Sequence, residues 1–247
     1  MTRQLVSFDW AMKHLLRQKA NFDILEGFLS ELLEEDITII EILESESNQD
    51  VELDKFNRVD LKAKDSQDNI VVIEVQYRGH NDYPHRILWG VSKAVTEMLH
   101  KGGGYENVKK IFSISIVYFD FGQGDDVVYH GTTRFWGRYK QKNELQLSKI
   151  QQNLYHGETI TDIYPEFYII KVNAFDDIIL DPLSEWLYFM KNEKVKDEFS
   201  AKGIAEAKER FNVLKMPNRE RINYDRYIED KRTKLSVLKT ARLEGLE

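Results

Sequence analysis

Asp60, Glu74 and Gln76 are the residues of this chain whose types and spacing could do chemistry. Asn57–Lys64 (NRVDLKAK) alternates, with Val59, Leu61 and Ala63 on one face and Arg58, Asp60, Lys62 and Lys64 on the other. Ile70–Gln76 (IVVIEVQ) is apolar until Glu74 and Gln76, which share a face because strand side chains alternate with period two. Between the two runs lies DSQDN (65–69), a cluster of turn formers. If Lys64 pairs with Ile70, the same register sets Asp60 opposite Glu74, and opposed strand residues have Cβ atoms only about 4.5–5.5 Å apart. Two carboxylates that close repel each other unless a cation or a proton lies between them. The donors are hard oxygens, with the backbone oxygen of Val75 a further candidate, and hard oxygens suit Mg²⁺ or Mn²⁺. Such an ion activates water and offsets charge building on a phosphodiester. Gln76 could orient water or phosphate but carries no charge; Lys62 and Lys64, on the Asp60 face, could supply it. An exposed hairpin with ordinary charges is the competing reading of an isolated D…E-x-Q pattern.

The elements that must hold these residues can be read around them. A helical segment over about 8–34 opens at Ser7, a plausible N-cap, with Phe8, Met12, Leu15 and Leu16 at helical spacing; Asn21 could cap a second piece. Ile37–Leu43 reads as a strand. A helix from about Pro84 to Lys101 carries Ile87, Leu88, Val91, Ala94, Val95, Met98 and Leu99 on one stripe. Lys110–Phe119 is an apolar strand, and Val127–Trp136 and Phe167–Asn173 extend the sheet. From Asp176 the pattern is helical, broken at Met216-Pro217-Asn218.

In this order the chain resembles the PD-(D/E)XK nuclease superfamily, and within it the recombination-promoting nuclease and transposase branch. The residues that carry the resemblance are Asp9-Trp-Ala-Met-Lys13, Arg58-Val-Asp60, Ile73-Glu-Val-Gln76 running into Tyr77-Arg-Gly-His-Asn-Asp82, and Arg86. The resemblance implies a restriction-endonuclease-like αβββαβ core of α/β class, with a mixed sheet flanked by helices, over residues 1–175. A helical C-terminal extension over 176–247 would follow. It implies a DNA endonuclease with Mg²⁺ or Mn²⁺ held by Asp60, Glu74 and Val75, and roles for Gln76, Lys62, Asp9 and Lys13 in catalysis. Gln76 departs from the superfamily's lysine but is common in this branch.

Several features admit two readings. Asp9 and Lys13, four apart, are either a surface ion pair or part of the cleft. Arg86 and Arg58 are candidate substrate contacts, since a guanidinium forks onto phosphate, although an arginine in a first helical turn is often only solvated. His80 and His85 lack a zinc spacing, and Gly102-Gly103-Gly104 ends a helix without a following Lys-Ser/Thr, so neither carries chemistry. Arg134, Trp136, Arg138 and Tyr139 mix charge and rings as nucleic-acid surfaces do, but four residues are few and a half-buried strand end explains them better. Lys215–Arg242 holds nine basic against four acidic residues and reads as a solvated helix, a DNA-backbone arm or a self-association surface giving a homodimer.

Composition sets the outer bounds. The chain has 247 residues, enough for one sizeable core plus an extension, and 42% hydrophobic with 31% charged residues is ordinary for a globular protein. It has no cysteine, no opening signal-like block and no run of about 18 apolar residues, so a cytoplasmic, membrane-free location is expected. The net charge of −7 argues against a general nucleic-acid binder, but residues 191–247 carry +4 and residues 1–190 carry −11. The acid concentrates in residues 31–54, with ten carboxylates and no Lys or Arg; that run would repel DNA and is expected to face away from the substrate or reach solvent. Two function classes stand: a metal-dependent DNA endonuclease, or a nuclease-like module that grips DNA or a protein without cutting.

Overall fold

The computed structural model describes residues 5–43, 60–99, 104–140 and 143–245. Six strands form one mixed sheet in the order β1-β2-β3-β4-β6-β5. They are β1 (Ile39–Ile42), β2 (Leu61–Asp65), β3 (Ile70–Gln76), β4 (Ile111–Val117), β5 (Val128–Gly131) and β6 (Glu166–Lys171). The helices are α1 (Phe8–Trp10), α2 (Phe22–Leu33), α3 (Tyr83–Leu99), α4 (Lys149–Tyr155), α5 (Pro182–Asn192), α6 (Ile204–Arg210) and α7 (Asn218–Leu243). β1, β2 and β3 are an antiparallel meander; β3, β4 and β6 run parallel, and β5 closes the edge antiparallel to β6. The expected helix–three strands–helix–strand order is therefore present. Lys64 faces Ile70 and Leu61 faces Ile73, the register read from the two alternating runs.

Alternation along β3 sorts its side chains onto two covered faces. Val71, Ile73 and Val75 join Ile114 and Ile116 in the main core, with Phe8, Ile24, Phe28, Trp186, Phe189, Phe211, Tyr224 and Ile228 from the helices. Ile70 and Val72 pack against Val91 and Ala94 of α3 on the other face. Glu74 and Gln76 follow that second set toward the start of α3, whose Tyr83 and Ile87 pack with Val117. α5, α6 and α7 thus bury their apolar side chains in the same cluster as α2 and the sheet. At the closest approach, a Cβ built on Gly27 of α2 would lie 2.1 Å from the Lys202 carbonyl oxygen, so only glycine fits there.

Local details depart from the expectations. The helical segment at the start is broken: α1 runs into a π-helical turn, Ala11–Leu15, and a 3-10 turn, Lys19–Asn21, precedes α2. Ser7 and Asn21 occupy cap positions but their side chains make no cap bond. Ser7 instead donates its backbone N–H to the Tyr224 hydroxyl at 3.1 Å, and Asn21 donates its side-chain amide to the Leu15 carbonyl at 2.9 Å. The strand expected over Val127–Trp136 stops at Gly131, leaving Trp136 in an isolated bridge with Glu144. α4 had no expectation attached; its Ser148–Gln151 capping box is readable, but it buries no residue and so shows no apolar stripe. Arg58, Val59 and Gly102-Gly103 lie outside the described residues. Among the described residues no helix is long and apolar enough to cross a membrane.

Candidate metal centre

Asp60 stands just before β2, and its Oδ2 accepts the Val75 backbone N–H at 2.7 Å, as a strand partner's carbonyl would. That bond draws the carboxylate onto β3 one residue from Glu74. Lys13, from the π-helical turn, places its Nζ 3.3 Å from Asp60 Oδ1, and Arg17 donates to the Asp60 carbonyl at 2.6 Å. Arg86, in the first turn of α3, donates to Glu74 Oε1 at 2.8 Å. Two carboxylates and three cations therefore share one end of the β2–β3 hairpin.

Burial decides the electrostatics. The Asp60 and Glu74 side chains are only 13% and 15% exposed. Loss of solvent pushes both carboxyls above the ordinary range. Lys13 and the Val75 N–H pull Asp60 back only in part, and Arg86 does the same for Glu74. Each carboxylate also raises another's pKa: Asp9 acts on Asp60, and Asp60 on Glu74. Burial thus outweighs the cations present at both carboxyls, and a proton or a divalent cation would offset it. The donor set fits a hard ion: two carboxylates, with the carbonyl of Val75 on the residue whose N–H already faces Asp60. Among the described residues no group of three or more His, Cys, Asp or Glu side chains converges as a metal cage.

The other expected residues are distributed around this pair. Gln76 ends β3, half-buried, with its carbonyl accepting from the Tyr118 N–H at 2.9 Å. Lys62 faces α3 and pairs with Glu97 at 2.5 Å, and Lys64 pairs with Asp68. Neither lysine is directed at the two carboxylates; Lys13 is. Asp9 is fully buried, accepts from the Tyr77 hydroxyl at 2.8 Å, and lies 3.5 Å from Lys231 of α7. Asp9 and Lys13 thus reach different neighbours on either side of the start of the π-helical turn, Asp9 toward Tyr77 and Lys231 and Lys13 toward Asp60. His80 is exposed and His85 is exposed on α3.

Two further contributors, Arg17 and Lys231, carry no expectation from the sequence, and a third, Tyr77, enters it only as part of the family resemblance. Arg17 continues the spacing of Asp9 and Lys13 by four, a signal that was available. Tyr77 directly follows the Glu74–Gln76 pair and stacks on Tyr118 at 4.2 Å; burial, then Tyr118 and Asp9, hold its hydroxyl neutral far above pH 7. Lys231 lies 3.6 Å from the centre of the Tyr77 ring. Nothing local in the sequence marks Lys231, since its partners are far away along the chain. His14, beside Lys13, is held below its usual pKa by burial and by Lys13 and Arg17, so it is neutral at pH 7.

A family model described as PD-(D/E)XK nuclease family transposase matches residues 6–241. No curated protein and no solved structure matches the chain. The six-stranded mixed sheet between helices is consistent with a restriction-endonuclease-like fold, and the match takes in both the strand carboxylates and α5–α7. The chain belongs to the PD-(D/E)XK nuclease family of transposases.

Proposed function

We propose that the protein is a divalent-metal-dependent endodeoxyribonuclease, acting in recombination or in the movement of mobile DNA. The observation that supports this reading is a cation-lined hairpin end with two partly desolvated carboxylates, Glu74 on β3 and Asp60 bonded to the N–H of the next residue, Val75. Asp60, Glu74 and the Val75 carbonyl would hold Mg²⁺ or Mn²⁺, which when bound supplies an acidified water and neutralises phosphate charge. Gln76, on the Glu74 face, orients the attacking water or a phosphate oxygen through its amide. Lys13 takes the part of the absent strand lysine, offsetting negative charge beside Asp60. Arg86, bonded here to Glu74, would offer its fork to a phosphate were Glu74 to hold an ion, with Arg58 a second substrate contact. Lys62, paired with Glu97, shapes the face without entering the reaction. Asp9 acts through Tyr77 and Lys231, fixing the strand end that carries Gln76.

A second reading is favoured by one specific feature: Gln76 stands where the superfamily has lysine, and both carboxylates already have cationic partners. On that reading the domain grips DNA without cutting it. Titrating Mn²⁺ against supercoiled plasmid, with a duplex gel shift in parallel, separates the two. Nicking that rises and saturates with Mn²⁺ supports the enzyme; a shift without nicking at any concentration supports the binding module.

A further inference from the structure

The segment from Trp10 to Gln18 has two working faces. Lys13 and Arg17 turn toward Asp60. Trp10, His14, Leu15 and Gln18 line a cavity of about 410 Å³ against α7. Across it stand Asn223, Arg226, Tyr227 and Asp230. The volume falls within the roughly 300–1,000 Å³ of small-ligand sites.

Rings build the wall of this cavity. The Trp10 ring lies 3.9 Å from His14 and 5.1 Å from Tyr227, centre to centre. The Trp10 indole N–H is buried without a hydrogen-bond partner. Around the rings sit two amides, a guanidinium and two carboxylates, so the lining offers donors and acceptors together. An isolated phosphate suits it badly, because Glu220 and Asp230 both line the cavity. An aliphatic ligand would leave the polar groups unmatched. A nucleobase meets both demands: a flat polarisable face for the rings and a hydrogen-bonding edge for Asn223, Arg226 and Asp230.

Position along the chain ties the cavity to the candidate metal centre. His14 adjoins Lys13 and Gln18 adjoins Arg17 in the chain, which sets the cavity on the same short segment as the two cations that reach Asp60. We propose that the cavity between the Trp10–Gln18 segment and α7 binds one unpaired base of the DNA strand beside the scissile phosphate. The preferred substrate is then DNA with an unstacked nucleotide, such as a bulge, flap or single strand. The scissile phosphate in this statement rests on the nuclease reading of Asp60 and Glu74; the base site does not.

The test uses hairpin DNA carrying 2-aminopurine either in a one-base bulge or fully paired, bound to the full-length protein in EDTA so that no metal-dependent cleavage intervenes. The bulged probe should bind more tightly, with its fluorescence changed by stacking. Tyr227→Leu should weaken bulge binding roughly tenfold, by loss of a stacking ring. Tyr227→Phe should bind as the wild type does, and the paired probe should change less than about twofold in either variant. Asn223→Ala, at an exposed position, should also weaken the bulged probe selectively, independently of ring packing. Equal binding of the two probes by the wild type, or undiminished bulge binding in both Tyr227→Leu and Asn223→Ala, overturns the proposal. Plasmid nicking measured alongside keeps the two readings apart. Nicking without bulge preference removes the base site alone, whereas bulge preference without nicking removes the nuclease and leaves the base site.

Discussion

Asp60 and Glu74 are carboxylates held largely away from solvent. Burial raises both carboxyl pKa values above their unfolded values, so the folded state binds these protons more tightly than the unfolded state. Stability from these groups is therefore greatest below the unfolded pKa of about 4 and falls as pH rises through the folded value. Asp60→Asn should match the wild type in thermal stability near pH 4 and exceed it at pH 7 without metal. Each kcal/mol gained raises Tm by about 2–4 °C in a chain of this size. A melting curve at the two pH values checks this, and a variant less stable at pH 7 contradicts it. The lysines give a second contrast. Lys13→Met should lower metal-dependent cleavage at least about tenfold by removing the charge beside Asp60. Lys62→Met should leave cleavage within about threefold yet cost roughly 2 kcal/mol, because it strands the partly buried Glu97. Single-turnover rates and denaturant melts on both variants separate these outcomes; equal loss of cleavage in the two would place Lys62 in the reaction after all.

The elements explain what could be read in advance. The hairpin register was legible because DSQDN fixes the turn and each strand has one face the core accepts; Asp65 then ties the loop by accepting from the Gln67 and Asn69 N–H groups. The α3 stripe was legible for the same reason. The start of the chain was not, since Asp9 and Lys13 at i and i+4 suggest a pair, and in the structure they reach different neighbours. α4 carries a cap without an apolar stripe, so its strongest signal is absent. The packing of α6 on α2 depends on Gly27 and on Gly203, whose φ of +77° few side chains accept. Gly27→Ala should cost about 2 kcal/mol or more through overpacking, lowering Tm by about 4–8 °C. Cleavage per folded molecule should survive, because Gly27 lies in α2, away from the hairpin end. Unchanged Tm would mean the two backbones are not held at this distance.

On the scale of the whole molecule, the last helix closes onto the first. Tyr224 accepts from Ser7, Ile228 enters the core, and Lys231 reaches Asp9 and the Tyr77 ring. No periodicity in the sequence announces this, because α7 has a polar surface and its contacts span almost the full chain. The same helix walls the cavity beside the Trp10–Gln18 segment, so the part of the chain that reads as a tail in the sequence packs against the segment that carries Lys13 and Arg17. If it also drives self-association, light scattering at working concentration gives twice the chain mass; a monomer mass removes that role. The central claim is that Asp60 and Glu74 together hold the ion that cuts DNA. Its most direct test is Mn²⁺-dependent nicking of supercoiled plasmid by purified wild type, Asp60→Ala and Glu74→Ala, each checked for folding by circular dichroism. The wild type should nick, and each variant should lose about a thousandfold or more of that rate; wild-type nicking by either folded variant would contradict the account.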